Sequence, residues 1–246
     1  MKSSGLSLLL IFFFCNVFAQ EYTNLKPEDT EYYSPKPLEV RVVGNNIPDD
    51  ALVLFKGEDL NEWVSQKDEN KAADWNIEGN TVIVKPGSGD IKTKKEFGSF
   101  QLHLEWKSPE TIKGEGQGRG NSGVLLHGLY EIQVLDNNDN PTYVNGQAGS
   151  LYKQRPPLVD VKADEKGWHS YDIIYNAPYY NKDGQLIRKG SVTVLHNGVL
   201  IQNNTQIEGT TEYIGLPKLK PHGKGPVILQ DHGDLVQFRN IWIREL

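Results

Sequence analysis

The run Tyr130-Glu131-Ile132-Gln133-Val134 alternates apolar and polar residues without a break. That period of two fixes it as a strand with Tyr130, Ile132 and Val134 on one face and Glu131 and Gln133 on the other. The same period recurs in Phe100, Leu102, Leu104 and Trp106, interleaved with Gln101, His103 and Glu105. Further short apolar or β-branched runs lie at 52–55, 81–85, 122–127, 168–175, 191–195, 227–230 and 235–243. Asn197-Gly198 reads as a two-residue hairpin turn leading into Leu200 and Ile201. No long helical period interrupts them, so the chain is expected to be all-β, a sandwich of antiparallel sheets. The polar segments 137–167 and 202–225 exceed ordinary connections, and loops of that length are usually functional.

The first residues have the pattern of an export signal. Lys2 precedes an unbroken apolar run from Leu8 to Phe14, and Val17-Phe18-Ala19 supplies a small-x-small cleavage pattern. The run is too short for an ordinary membrane span. Cys15 offers a rival lipoprotein reading, but Phe12-Phe13-Phe14 lacks the small residues that such a site needs. Residues 1–19 are therefore expected to be a signal peptide, 20–50 an extended arm broken by Pro27, Pro35, Pro37 and Pro48, and 51–246 a single domain. Export would deliver it to the periplasm or surface of a Gram-negative bacterium. With Cys15 removed no disulfide or thiolate chemistry remains. The net charge of −6 and the lack of a basic stripe exclude nucleic acid as an expected partner. The sequence leaves the oligomeric state open.

Several phrases, in order, resemble the bacterial 3-keto-disaccharide hydrolase-like domain family. They are LFKGEDLNEW (54–63), FQLHLEW (100–106), GQGRGNSGVLL (116–126), YEIQVLD (130–136), NGQAGSLYKQRPPL (145–158), TVLHNGVLIQNN (193–204), GPVILQDHG (225–233) and VQFRNIWIREL (236–246). The resemblance implies a concanavalin-like jelly roll of two curved antiparallel sheets and an exported enzyme acting on glycosides, including sugars oxidised at C3. A weaker likeness is to laminarinase- and lichenase-type β-glucanases, whose catalytic strand carries Glu-x-Asp-x-(x)-Glu. Here that frame reads Glu131-x-Gln133-x-x-Asp136, with an amide at its centre and a shortened acid at its end. Positions 131 and 136 would lie roughly 16 Å apart on an unbroken strand, whereas retaining glycosidases need about 5 Å between carboxyl groups.

Carboxylates move protons and amides hold hydroxyls, so acid-and-amide strands suit sugar chemistry. A ketone at C3 acidifies the C2 proton. Removing it forms an enediolate, the C1–oxygen bond breaks, and water can add back. That route needs a base, donors for the developing oxyanion and an acid for the leaving group. Glu131 is the candidate base or acid, with His232, His103 or Glu105 as its partner. If 100–106, 122–127 and 130–135 form a meander, Glu105 lies about 10 Å from Glu131. Gln133, Asn121, Gln147 and Gln230 are expected to hold hydroxyls or the enolate oxygen, and Arg119 to steady negative charge. His127, Asp136 and Tyr152 complete the expected substrate-binding set, with Tyr143, Tyr179 and Tyr180 as further rim candidates. Trp106 and Trp242 are expected in the core, and Trp63, Trp75 and Trp168 near turns where they could stack on sugar rings. No cofactor is predicted. No metal-ligand spacing exists, although His127, His232 and Glu131 could converge on a divalent ion in space. The expected partner is an oligosaccharide or glycoside substrate. The competing functions are a non-catalytic carbohydrate-binding module on the same sandwich and an ordinary retaining β-glucanase.

Overall fold

The computed structural model describes residues 25–31, 36–164 and 167–246. The expected signal peptide and Cys15 lie outside the described residues. Val40–Leu246 forms one compact unit. It begins ahead of the boundary expected near residue 51, and Asp50 is tied to Arg244 by a forked ion pair of 2.6–3.1 Å.

The unit contains two large antiparallel sheets. The five-stranded sheet runs, in spatial order, Tyr130–Val134, Ser122–Leu126, Ile228–Leu229, Ile91–Thr93 and Trp63–Ser65. The eight-stranded sheet runs Val199–Gln206, Ser191–His196, Trp168–Asn176, Phe100–Lys107, Gln237–Glu245, Thr81–Ile83 and Asn76–Glu78, with Leu52–Phe55 also paired to Gln237–Glu245. The described helical turns are all short 3-10 segments. The all-β expectation therefore holds, and the architecture is that of a jelly-roll sandwich.

Alternation builds the core. Phe100, Leu102, Leu104 and Trp106 from the larger sheet and Val124, Leu126, Ile132 and Val134 from the smaller one join a single buried cluster. Each such side chain contributes about 1.5–3 kcal/mol by leaving water. The Asn-Gly hairpin forms as expected. Asn197 and Gly198 both have positive φ, 49° and 76°, and His196 pairs with Val199. That geometry matches the right-handed twist of the flanking strands.

The expected meander does not form. Phe100–Lys107 pairs with Trp168–Asn176 and Gln237–Glu245, not with Ser122–Leu126. Segment 108–121 instead carries the chain from one sheet to the other. A glycine-rich connection of that length is too long for a hairpin. His103 and Glu105 thus stand on the outer face of the eight-stranded sheet, on the opposite side of the sandwich from Glu131.

Candidate active site on the outer face of the five-stranded sheet

Ile132 faces the core, so Glu131 and Gln133 face outward. They do not meet open water. Glu131 is only 6% exposed and Gln133 only 1%. The cover comes from the long loop after the strand. Tyr152 N donates to Glu131 O at 2.9 Å, Gly149 N to Gln133 O at 2.9 Å and Gln133 N to Ser150 O at 3.0 Å. Thr211, from the second long loop, accepts from Glu131 N through its hydroxyl at 2.9 Å. Both loops singled out by length therefore close over the same strand.

Space for the Glu131 carboxyl is made by Gly123 on the neighbouring strand. Gly123 pairs with Gln133, and a Cβ there would lie 2.6 Å from Glu131 Oε1. Gly123 O accepts from Gln230 N at 3.1 Å, and Ser122 Oγ donates to Gln230 O at 2.7 Å. Gly123 and Gln133 thereby lie beside the acid, with Gln230 bonded through its backbone to the Ser122-Gly123 stretch. Asn121 Oδ1 and Gln230 Oε1 are buried acceptors without a protein partner. Asn121 Nδ2 donates to Gln117 O at 2.6 Å, and its backbone N–H donates to Asp234 at 2.8 Å.

Burial pushes the Glu131 carboxyl up to about 8, with the negative charge of Asp90 adding to the shift. Desolvation also raises Asp90 from its ordinary value; the charges of Asp231 and His232 act on it with opposite signs. Asp90 Oδ1 accepts from Asp231 N at 2.9 Å. Asp231 in turn accepts from Gly87 N and Gly89 N at 2.8 and 2.9 Å. His232 is exposed on this turn. The QDHG turn therefore contacts Asp90, whose charge in turn bears on Glu131. On the other flank the hydroxyls of Tyr143 and Tyr152 share a short hydrogen bond. Burial raises both phenols, and the Glu131 charge adds to each shift.

The other expected site residues are placed differently. Arg119 Nε donates to Asp136 at 2.8 Å and Arg119 Nη2 to Asn138 O at 3.0 Å. Asp136 also accepts from Asn138 N at 3.0 Å. Arg119 and Asp136 therefore brace the 136–140 turn, and Asp136 is no second carboxylate for Glu131. His127 has φ of 53° in the turn between two strands, and its Nε2 bonds Gly98 O at 2.9 Å. Its ring packs on Phe100 and Tyr175, and burial pushes it down to about 4. It belongs to the core rather than to the Glu131 hollow. Gln147 is half-buried in the covering loop, and its carbonyl accepts from Ser150 N.

His103 and Glu105 form a separate polar network. His103 Nδ1 pairs with Asp172 at 2.7 Å, Glu105 pairs with Arg239 at 2.6 Å, and Asn240 Nδ2 donates to Glu105 at 3.0 Å. They line a shallow cavity with Asn46, Asn80 and Ser170. Asn240 sits at φ 49° where the register of its strand shifts, so this network secures a bulge. Trp106 and Trp242 are buried as expected, but Trp63, Trp75 and Trp168 are buried too and form no sugar platform. Tyr179 and Tyr180 form a short strand paired with Leu186–Arg188, and the Tyr180 ring lies against His222.

Sequence reasoning missed Asp90, Gln117, Gly123 as a space-maker, and Thr211. Asp90 borders a three-residue strand with no clear period. Gln117 lies within a glycine-rich phrase whose glycines draw the eye. No group of three or more His, Asp or Glu able to hold a metal occurs among the described residues, so the convergence of His127, His232 and Glu131 does not form. No helix among the described residues is long and apolar enough to cross a membrane.

Residues 50–244 match the sequence profile of the 3-keto-alpha-glucoside-1,2-lyase-like domain family. A 3-keto-disaccharide hydrolase of Bacteroides thetaiotaomicron is 23% identical, over 80% of this chain and 79% of that protein. A crystal structure of a candidate glycosyl hydrolase from Parabacteroides distasonis is 48% identical, covering 92% of this chain and 98% of that one, with a TM-score of 0.85. A second Parabacteroides distasonis structure, 21% identical over 80% of this chain and 94% of its own, has a TM-score of 0.59 and shares the fold.

Proposed function

The chain belongs to the 3-keto-alpha-glucoside-1,2-lyase-like domain family, and from that premise we propose that it is an exported carbohydrate-active enzyme cleaving glycosidic bonds of 3-keto-glycosides. The observation that carries this reading is the burial of the Glu131 carboxyl against Gln133 and Gly123, which raises it above the ordinary carboxylate range. Near neutral pH Glu131 is the acid of the pair. It protonates the leaving oxygen as the C1–O bond breaks. The base that takes the C2 proton comes from the opposite flank, where His232 stands by Asp90. Electrons from the C2–H bond form the enediolate and then the C1–C2 double bond as the leaving group departs. Water adding across that bond completes net hydrolysis.

The remaining roles follow from chemistry. The phenols of Tyr143 and Tyr152 are donors for the C3 oxyanion, the kind of preorganised contact that stabilises an enolate. Asn121 Oδ1 and Gln230 Oε1, each without a protein partner, are acceptors for sugar hydroxyls. An ordinary retaining β-glucanase mechanism is disfavoured, because Asp136 is held by Arg119 and Asn138.

The test is incubation of the purified protein with glucosides and with their 3-keto forms, following the released aglycone. Turnover restricted to the keto forms, with solvent deuterium entering C2, is expected. Glu131→Gln should lower kcat by about 10²–10⁴-fold and leave binding of the keto sugar intact. Sugar binding without turnover by the unaltered protein would make it a binding module instead.

A further inference from the structure

Segment 210–218, within the second long loop, closes on itself beside Glu131. Thr210 N donates to Lys218 O at 2.9 Å, the Thr210 hydroxyl donates to Glu212 at 2.9 Å, and Lys218 pairs with Glu212 at 3.2 Å. The neck is tight, since a Cβ on Gly209 would lie 2.6 Å from Lys218 O. Thr211 joins this neck to the Glu131 strand. Its hydroxyl accepts from Glu131 N at 2.9 Å, and its own N–H donates to Leu129 O at 2.8 Å.

The tip of the loop reads Tyr213-Ile214-Gly215-Leu216-Pro217. Tyr213 is 67% exposed, Ile214 81% and Leu216 83%. Single apolar side chains on a surface are ordinary, but three within four positions on a braced loop make a patch. The patch adjoins the site. The Tyr213 phenol is near enough for its charge to bear on Tyr143 and Tyr152, the two phenols on which the Glu131 charge also bears. Val144, beside Tyr143 on the covering loop, is exposed as well.

The chemistry of the tip selects its occupant. A leaving oxygen protonated by Glu131 places the aglycone against the loops that cover Glu131, and 210–218 is one of them. A second sugar ring would bring several hydroxyls there, each losing water and needing a partner. The tip offers one phenol hydroxyl, no side-chain amide and no charge, while Lys218 and Glu212 engage each other at the neck. An aromatic aglycone has no such groups to satisfy. It buries apolar surface against Ile214 and Leu216 and stacks on the Tyr213 ring.

We propose that Tyr213, Ile214 and Leu216 form the aglycone subsite, and that the substrates are 3-keto-glycosides whose leaving group is an apolar aromatic alcohol rather than a second sugar. The proposal deepens the reading of the Glu131 site and rests on it for the reaction. The three side chains set specificity and move no proton.

The experiment compares the full chain with the double variant Ile214→Ser, Leu216→Ser and with Tyr213→Ser. Thermal melting checks folding, which substitutions at such exposed positions should preserve. An aromatic alcohol leaves more readily than a sugar alcohol, so the rate on one substrate does not isolate the tip. The readout is therefore a ratio, kcat/KM for the 2-naphthyl 3-keto-glucoside over that for the methyl 3-keto-glucoside of the same anomeric form. The ratio should fall about tenfold in the double variant, through KM rather than kcat, and by less in Tyr213→Ser. Free 2-naphthol, followed by its fluorescence, needs no turnover. It should bind the unaltered protein and bind about tenfold more weakly to the double variant. Naphthol binding weakened in the variant, with no turnover of any 3-keto-glycoside, would refute the proposed reaction and leave the subsite standing. Turnover with the ratio unmoved in both folded variants would overturn the subsite and leave the reaction standing. Naphthol that fails to bind the unaltered protein, or binds the double variant equally well, also overturns it. Self-association or phospholipid-vesicle binding abolished in the double variant, with the ratio unmoved, would assign the tip to a second copy or to a membrane instead.

Discussion

At the scale of single residues, the burial of Glu131 makes the stability of the fold depend on pH. Its folded-state value of about 8 exceeds the ordinary 4.5. The folded protein therefore binds more protons than the unfolded chain between those values. By linkage, stability is greatest below the unfolded value and falls as pH rises toward 8, then levels off. The loss should total a few kcal/mol, accumulating at about 1.4 kcal/mol for each step of one in pH across that window. Glu131→Gln, which has no carboxyl to titrate, should flatten that slope. Denaturant unfolding of both proteins across this range checks it. The outward direction of Glu131 was legible because its strand alternates so cleanly. Its burial was not, since nothing in YEIQV tells which loop will cover the polar face.

At the scale of elements, the pairing of Tyr130–Val134 with Ser122–Leu126 decides where the carboxyl can go. Gly123 has no positive φ that calls for glycine; the reason for it is room. Gly123→Ala should destabilise by about 1–3 kcal/mol through overpacking and lower turnover by displacing Glu131, measurable by denaturant midpoint and aglycone release. The strands with strong alternation were readable within a residue or two of their ends. Trp63–Ser65 and Ile91–Thr93 were not, because three residues carry too little periodicity to tell a strand from a loop. Arg119 and Asp136 show a different limit. A charged residue in a glycine-rich loop reads as available for substrate, yet here each satisfies the other and the turn between them.

At the scale of the whole molecule, the sandwich separates two polar networks that sequence reasoning had joined. The alternation of Phe100–Trp106 shows that His103 and Glu105 face away from the core, but not which sheet they belong to. Sheet membership is set by the crossover 108–121, and pairing between distant strands leaves no local mark. His103→Ala should therefore change turnover by no more than about twofold, as expected for a site remote from the reacting groups. It should lower the melting temperature by disturbing the contacts around Asn240. Kinetics and melting on one preparation test both statements.

The Tyr130–Val134 strand ends its sheet, with Ser122–Leu126 on one side and the 149–152 segment bonded along the other. That segment thus acts as a selvedge as well as a roof, masking backbone groups that would otherwise recruit a neighbouring chain. Shortening it to admit bulkier glycosides would uncover a sticky border, so any gain in promiscuity should come with fibril formation.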